Sequence, residues 1–422
     1  MSTTSTTATA PGSQRRVVIT GIGALSPLGN DWATVRSQLQ SGRNVIRVMH
    51  EWEGYEGLST QLGCTVQPFE LPAHYNRKTM RSMGRVALMA TRATEIALEH
   101  AGLLGDPFVK SGHMGVSYGS SAGTPAAIGD FGRMMADKST EGINANTYIK
   151  MMSHTAAVNM GVFFGTTGRI IPTSSACTSG SQGLGYAFEA IQSGKQLAML
   201  AGGAEELDAT QAAVFDTLFA TSTKNGTPEL TPRPFDINRD GLVLGEGACT
   251  FVLEELEHAK ARGAQILGEI IGFATNSDGT HVTHPNPATM AQAMRMALDD
   301  AGLPPEAIGY INAHGTATDQ GDIAESNATH TVFGNTVPIS TLKGYMGHTL
   351  GACGALEAWM TLEMMREGWF AQNANLTEPD PRCGAVDFIM GEPRQLHTNV
   401  VMSNNFAFGG INTSLIFKRW SE

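Results

Sequence analysis

The chain is short of charge, of paired cysteines and of long apolar runs, and each shortage removes a class of protein. Only 16% of its 422 residues are charged, and 28 Lys+Arg stand against 39 Asp+Glu, a formal charge of −11. An acidic chain has no overall field to hold nucleic acid or an anionic membrane. The five cysteines (Cys64, Cys177, Cys249, Cys353 and Cys383) are scattered, without a C-x-x-C pair. That argues against a disulfide scaffold and a structural zinc site, and suits the reducing cytoplasm. No apolar run reaches the roughly 20 residues of a membrane helix.

What is present is a large globular core. The chain is 41% hydrophobic, with 49 glycines and 21 methionines, enough apolar surface to offset the entropy of ordering. Residues 1–14, rich in Ser, Thr and Ala, read as a disordered tail. A β-branched strand begins at Arg15–Ile19 and runs into a glycine turn at Gly21. Helical spacing marks Arg85–Gly102, Ser181–Gly194, Thr289–Gly302 and Ala355–Gly368, each closed by glycine. Strands such as Leu197–Ala201, Cys249–Glu254 and Val400–Ser403 lie between them, an α/β alternation with buried sheets. Ala97-Leu-Glu-His-Ala-Gly-Leu103 echoes in Ala297-Leu-Asp-Asp-Ala-Gly-Leu303, and Ala176-Cys177 rhymes with Ala352-Cys353. The echoes suggest two related halves, 15–265 and 266–422, breaking near Ala264–Gly268.

Three motifs are lures. Gly21-Ile-Gly-Ala-Leu-Ser26 lacks the third glycine of a dinucleotide loop. Gly119-Ser-Ser-Ala-Gly123 fits the G-x-S-x-G elbow of serine hydrolases, with Ser121 as nucleophile, but arises easily in a glycine-rich chain. His281 and His284 sit beside Pro285 and Pro287 with no third ligand at recognisable spacing. The stronger signal is Pro172-Thr-Ser-Ser-Ala-Cys-Thr-Ser-Gly-Ser181, where a strand meets tiny residues and then an amphipathic helix. Cys177 at a helix N-terminus is expected to favour thiolate. His314 ends a short strand in Asn312-Ala-His-Gly-Thr-Ala-Thr318, and Lys343-Gly-Tyr-Met-Gly-His348 sets a lysine and a histidine in a second small-residue turn. Two such histidines beside one poised cysteine suggest nucleophilic catalysis. Asn404–Asn412 reads as an aromatic gate on a glycine loop.

With Ala201-Gly-Gly-Ala-Glu-Glu206, Pro234-Phe-Asp236, Arg239-Asp-Gly241 and Val252–Glu257 in the same order, the sequence resembles the elongating β-ketoacyl-acyl-carrier-protein synthases from about Arg16 to Lys418. These are condensing enzymes of the thiolase superfamily. The resemblance implies an α/β thiolase fold, two duplicated halves in a layered α-β-α-β-α architecture, and a homodimer that needs no cofactor or metal. It implies that Cys177 takes an acyl group from an acyl carrier protein, and that His314 and His348 bind the malonyl thioester carbonyl during decarboxylation. Backbone N–H groups of Cys177 and Phe408 would form the oxyanion hole. Lys343 supports the histidines, Glu357 is the structural acid, Thr316 and Thr318 hold the pantetheine arm, and Lys78 and Arg81 (with Lys150 weaker) dock the acidic carrier.

The chain departs from the family pattern at Asp319-Gln320, Leu342, Met346, Leu242 and Ala407, the last expected to stiffen the gate. A degradative thiolase needs a second catalytic cysteine in C-x-G spacing, which Cys383-Gly384 lacks. A non-catalytic chain-length partner of a polyketide or polyene synthase lacks the nucleophile, which is present here, though pairing with such a partner stays open.

Overall fold

The computed structural model describes residues 14–421; of the tail expected over 1–14, residues 1–13 lie outside them. Ten strands build one mixed sheet: β1 (Val17–Leu25), β2 (Met114–Gly119), β3 (Ile170–Thr173), β4 (Ala198–Glu205), β5 (Gly247–Glu255), β6 (Gly268–Ser277), β7 (Tyr310–Asn312), β8 (Pro338–Ser340), β9 (Val400–Ala407) and β10 (Ile411–Lys418). Their order is β8-β7-β9-β10-β6-β1-β5-β4-β2-β3, with the two-residue strand Asp387–Phe388 beyond β8. Outward from the centre, β1-β5-β4-β2-β3 and β6-β10-β9-β7-β8 repeat one pattern. The inner two pairings are antiparallel and the outer two parallel on both sides. The two sets meet where Val17–Ile19 pairs with Gly268–Ile270.

Six helices complete the layers: α1 (Arg85–His100), α2 (Thr155–Phe164), α3 (Ser179–Gln192), α4 (Pro287–Ala301), α5 (Asp319–Phe333) and α6 (Cys353–Glu367). Helices α1 and α2 cover the outer face of one strand set and α4 and α5 that of the other, while α3 and α6 pack against each other between them. The result is an α-β-α-β-α stack in which both strand sets of the sheet are buried between helices, which accounts for the nearly continuous apolar strands. The glycine ends fall as the sequence suggested for α4 and α6, whose C-caps Gly302 and Gly368 are left-handed.

The seven-residue echo has a packing cause. A Cβ on Gly21 of β1 would sit 2.3 Å from the Ala97 carbonyl, and one on Gly272 of β6 would sit 2.6 Å from the Ala297 carbonyl. Each echo is the helix end that lies directly on a strand glycine, so small residues are required on both surfaces. This corrects the expected glycine turn at Gly21: the strand runs on to Leu25, fully buried, and has no room for a dinucleotide.

The Ala-Cys rhyme is out of register. Ala176 and Leu350 hold the corresponding left-handed positions (φ 50° and 46°), three residues before the starts of α3 and α6. Cys177 therefore corresponds to Gly351, and Cys353 is the first residue of its helix. Similar letters at a two-residue offset do not occupy the same place.

Candidate active site

Cys177 lies in the short turn Ala176–Thr178 that feeds α3, 3% exposed. Its Sγ is 2.9 Å from His348 Nε2. The His314 and His348 rings stand edge to face, 5.1 Å apart between centroids. The sequence placed these three residues more than 30 positions apart at the nearest; the fold brings them to the carboxyl ends of strands from both sets.

Hydrogen bonding fixes how the imidazoles face the site. Lys343 Nζ (3.2 Å) and Asn405 Nδ2 (3.4 Å) both approach His314 Nδ1. Both are donors, so Nδ1 accepts and the proton sits on Nε2. The Leu350 N–H donates to His348 Nδ1 (3.3 Å), leaving Nε2–H directed at Cys177. Both rings thus present an N–H to whatever lies over the sulfur. Burial first, and then the Lys343 charge, hold both histidines well below their ordinary pKa, so each is neutral at pH 7. The donor atoms of Cys177, His314 and His348 lie within 4.8 Å of one another, but rings that offer N–H in place of lone pairs beside an ammonium make a poor cation site.

Lys343, 1% exposed, pairs with the Glu357 carboxylate. Burial is the largest influence and opposes its charge, but Glu357, Cys353 and Glu325 together outweigh it and the pKa is raised. Asn405 Nδ2 donates to Glu357 (2.8 Å). On the other side, Glu325 of α5 accepts the N–H groups of His314 and Gly315, both at 2.7 Å. Asp322 accepts those of Thr316 and Ala317, both at 3.1 Å. This carboxylate cradle holds a turn with left-handed Ala317 (φ 68°).

Four of these contributors were not singled out from sequence: Asn405, Glu325, Asp322 and Cys353. The Cys353 S–H donates to the Cys177 carbonyl (3.2 Å), and Asn405 Nδ2 lies 3.6 Å from Cys353 Sγ. Cys353 thereby joins the nucleophile's peptide to the Lys343–Glu357 pair. Only the i, i+3 spacing of Asp322 and Glu325 on a helix behind His314 could have signalled the cradle.

The thiolate expectation is corrected. Burial pushes the Cys177 thiol up to about 11, although Lys343 and the backbone N–H groups of Phe408 and Cys177 pull it down. A helix terminus supplies a partial charge, whereas full burial removes all the solvation of an anion. Carbamidomethylation of Cys177 is therefore expected to speed up about tenfold per pH unit between about pH 7 and 9. A rate that levels off near neutrality, followed by peptide mass spectrometry, would mean the thiolate is already formed.

A cavity of about 260 Å³ reaches Cys177, His314 and His348 and is lined by Thr316, Thr318, Leu242, Ala407 and Phe408. The Thr316 and Thr318 hydroxyls are 3.0 Å apart. Phe408 stacks at a tilt on Phe215, centroids 5.0 Å apart, and closes one wall. Ala407 is the last residue of β9, paired with Ile411; the turn's positive φ values fall on Gly409 and Gly410. In this conformation Ala407 does not occupy a position that uses glycine's freedom.

Lys78 and Arg81 are exposed on the four-residue helix Arg77–Met80 and its C-cap, and neither lines the cavity. Lys150 is half-buried. The Ser121 hydroxyl bonds the buried Glu205, an acid that cannot serve as the imidazole of a hydrolase triad. His281 and His284 are exposed, stacked edge to face at 4.9 Å, and sit at the cavity rim.

A doubled α/β stack whose central helix presents a cysteine to two neutral imidazoles defines the thiolase-fold condensing enzymes. Residues 14–259 match the β-ketoacyl synthase N-terminal domain, and residues 267–377 match the β-ketoacyl synthase C-terminal domain. The chain is 38% identical over 413 residues to 3-oxoacyl-(acyl-carrier-protein) synthase 1 of Haemophilus influenzae, covering 96% of this chain and 100% of that one. The crystal structure of a β-ketoacyl synthase from Burkholderia phymatum is 57% identical, with a TM-score of 0.95 over 96% of this chain and 100% of that one. A type II polyketide synthase acyl-carrier protein in complex with its ketosynthase matches at 27% identity, TM-score 0.86, over 97% of this chain and 100% of that chain. The chain belongs to the β-ketoacyl synthase family.

Proposed function

We propose that the protein is a β-ketoacyl-acyl-carrier-protein synthase acting in two half-reactions at Cys177. The 2.9 Å approach of His348 Nε2 to Cys177 Sγ, with His314 beside it, carries this reading. In the first half-reaction Cys177 attacks the thioester of an acyl carrier protein; the new thioester forms on Sγ, and the Cys177 proton leaves with the carrier's thiol. In the second, a malonyl thioester places its carbonyl oxygen against both Nε2–H donors. Loss of carbon dioxide sends the electron pair to that oxygen as an enolate, which two fixed donors in a dry pocket stabilise. The enolate carbon attacks the acyl-Cys177 carbonyl, the oxyanion rests on the Cys177 and Phe408 N–H groups, and the thiolate is expelled. Electrons for the new bond come from the departing carboxylate, so the steps require no metal or redox cofactor.

In the same reading Lys343 and Glu357 hold His314, Thr316 and Thr318 line the path of the pantetheine arm, and the two halves 15–265 and 266–422 descend from one ancestor. The mirrored strand order supports that descent. The edge strand β3 leaves Ile170 40% exposed, and Val162 on the adjoining α2 is 79% exposed; this unpaired apolar edge supports a homodimer in which a second copy covers it. Among the described residues no helix is long and apolar enough to cross a membrane, and the five cysteines are free, which suits the cytoplasm. A non-catalytic chain-length role fits poorly with a cysteine facing two positioned histidines.

The test is intact-protein mass spectrometry after incubation with acyl carrier proteins loaded with chains of graded length. An adduct on the wild type and none on Cys177→Ser is expected. A folded protein that takes no acyl group at any length overturns the reading.

A further inference from the structure

One buried carboxylate near the active site takes no part in either half-reaction. Glu205, the last residue of β4, is 0% exposed, and its partners are four hydrogen-bond donors rather than a cation. Its Oε2 accepts the Ser121 N–H (2.7 Å), the Ser121 hydroxyl and the Gly351 N–H (3.1 Å), and its Oε1 accepts the Ser120 hydroxyl (3.0 Å). Burial pushes its pKa up, and these donors oppose the rise. A buried acid without a counterion is costly to keep. Both serines belong to Gly119-Ser-Ser-Ala-Gly123, so the acid and that motif form one unit.

The doubled fold shows what place this carboxylate fills. Strand β4 corresponds to β9, and each ends opposite the first residue of its neighbour: Glu205 pairs with Gly247, and Ala407 with Ile411. Glu205 is therefore the counterpart of Ala407, as Gly351 is of Cys177. In the catalytic half Ala407 and Cys177 both line the cavity, and the Cys177 N–H is the donor assigned above to the oxyanion. In the other half Glu205 sets its own oxygen on the Gly351 N–H. A Cβ on Gly351 would sit 2.8 Å from that oxygen and 2.9 Å from the Ser121 nitrogen, so the carboxylate leaves no cavity there.

The contact reaches the chemistry through Leu350. The Leu350 N–H donates to His348 Nδ1 (3.3 Å), and the next N–H, of Gly351, donates to Glu205 (3.1 Å). Between these two bonds Leu350 is left-handed at φ 46°, a conformation that a residue with a Cβ keeps only when its surroundings impose it. Released from Glu205, Leu350 relaxes and its N–H swings off Nδ1. The His348 proton is then free to settle on Nδ1, which leaves Nε2 with a lone pair where the enolate needs a donor. We infer that Glu205 is a positioning residue for His348: an internal carboxylate, seated in the second half's counterpart of the oxyanion site, pins the Gly351 turn and so fixes which His348 nitrogen carries the proton. The inference rests on the condensing reading above, which gives that Nε2–H its task. The Glu205 charge works against an anion at Cys177, so what serves the site is the acceptor oxygen.

Glutamine keeps that acceptor. With its oxygen in place of Oε2 both backbone N–H groups stay bonded, and its amide N–H reaches Ser120 Oγ, which has a lone pair to spare beside the Gly123 N–H (3.2 Å). Glu205→Gln is therefore expected to decarboxylate a malonyl-loaded carrier within about threefold of wild type. Glu205→Met leaves both N–H groups without an acceptor and is expected to lose about a hundredfold in decarboxylation kcat, the order of one lost oxyanion donor. Acylation of Cys177, followed by intact mass, is expected to stay within about threefold in both variants. Nitrogen-15 NMR of labelled histidines reads the tautomer directly: Nε2–H at His348 in wild type and Glu205→Gln, a mixture in Glu205→Met. If Glu205→Met does not fold, Gly351→Ala replaces it, since the added methyl displaces the carboxylate from the other side. Equal losses in the Gln and Met variants, parallel loss of acylation and decarboxylation, or an unchanged His348 tautomer in the folded variant overturns the role. A wild type that neither takes an acyl group nor releases carbon dioxide would instead defeat the condensing reading, and the tautomer comparison then still decides the role of Glu205.

Discussion

Cys177→Ala is expected to lower condensation by about four orders of magnitude or more while leaving decarboxylation of the malonyl donor measurable. The two losses separate because the two tasks use different atoms. The acyl group needs Sγ, but the enolate needs only the Nε2–H donors of His314 and His348. Those are oriented through Nδ1, by Lys343 and Asn405 on one ring and by the Leu350 N–H on the other, and the sulfur meets only His348, at the Nε2 that would serve the enolate. Carbon dioxide release and β-ketoacyl product, measured side by side on malonyl-loaded and acyl-loaded carriers, check this. Parallel loss of both would show that the sulfur itself holds the imidazoles.

Lys343→Met is expected to destabilise the fold by about 3–5 kcal/mol and to suppress decarboxylation. The ammonium and its partner Glu357 are both essentially inaccessible, at 1% and 0% side-chain exposure. Removing the lysine leaves a carboxylate without its counterion in the interior, and burial then drives Glu357 towards its protonated form. The Lys343→Met/Glu357→Leu double variant removes both charges and is expected to regain most of the stability, as apolar replacements of buried pairs often do. It is not expected to regain activity, since His314 Nδ1 has lost its strongest donor. Thermal or denaturant unfolding against malonyl decarboxylation makes the comparison. Activity recovering with stability would reduce the pair to a packing element.

The fold class was legible because its causes are local. Strands such as Val17–Leu25 and Ala198–Glu205 are buried along their whole length, and continuous apolar runs announce that without reference to distant chain. The echo ending at Leu103 and Leu303 was legible for the same reason: a strand glycine and a small-residue helix end must match each other twice. Strand β1 ran past its expected turn because glycine in a sequence signals freedom, and only the Ala97 carbonyl above it shows that here glycine supplies close approach. Cys353 and Asn405 stayed silent, since their meaning lies in contacts to Cys177, Glu357 and His314 across both strand sets.

Sequence alone thus determined the α/β alternation, the doubled pattern and the residue types of the nucleophile and its two histidines, each encoded within a short stretch. Tertiary structure decided how those residues act. It sets which nitrogen of each histidine carries a proton and that burial holds Cys177 as a thiol. It also decides that Ala407 is strand. Each of these depends on desolvation and on partners distant in the chain, and neither quantity is written in any local run of residues.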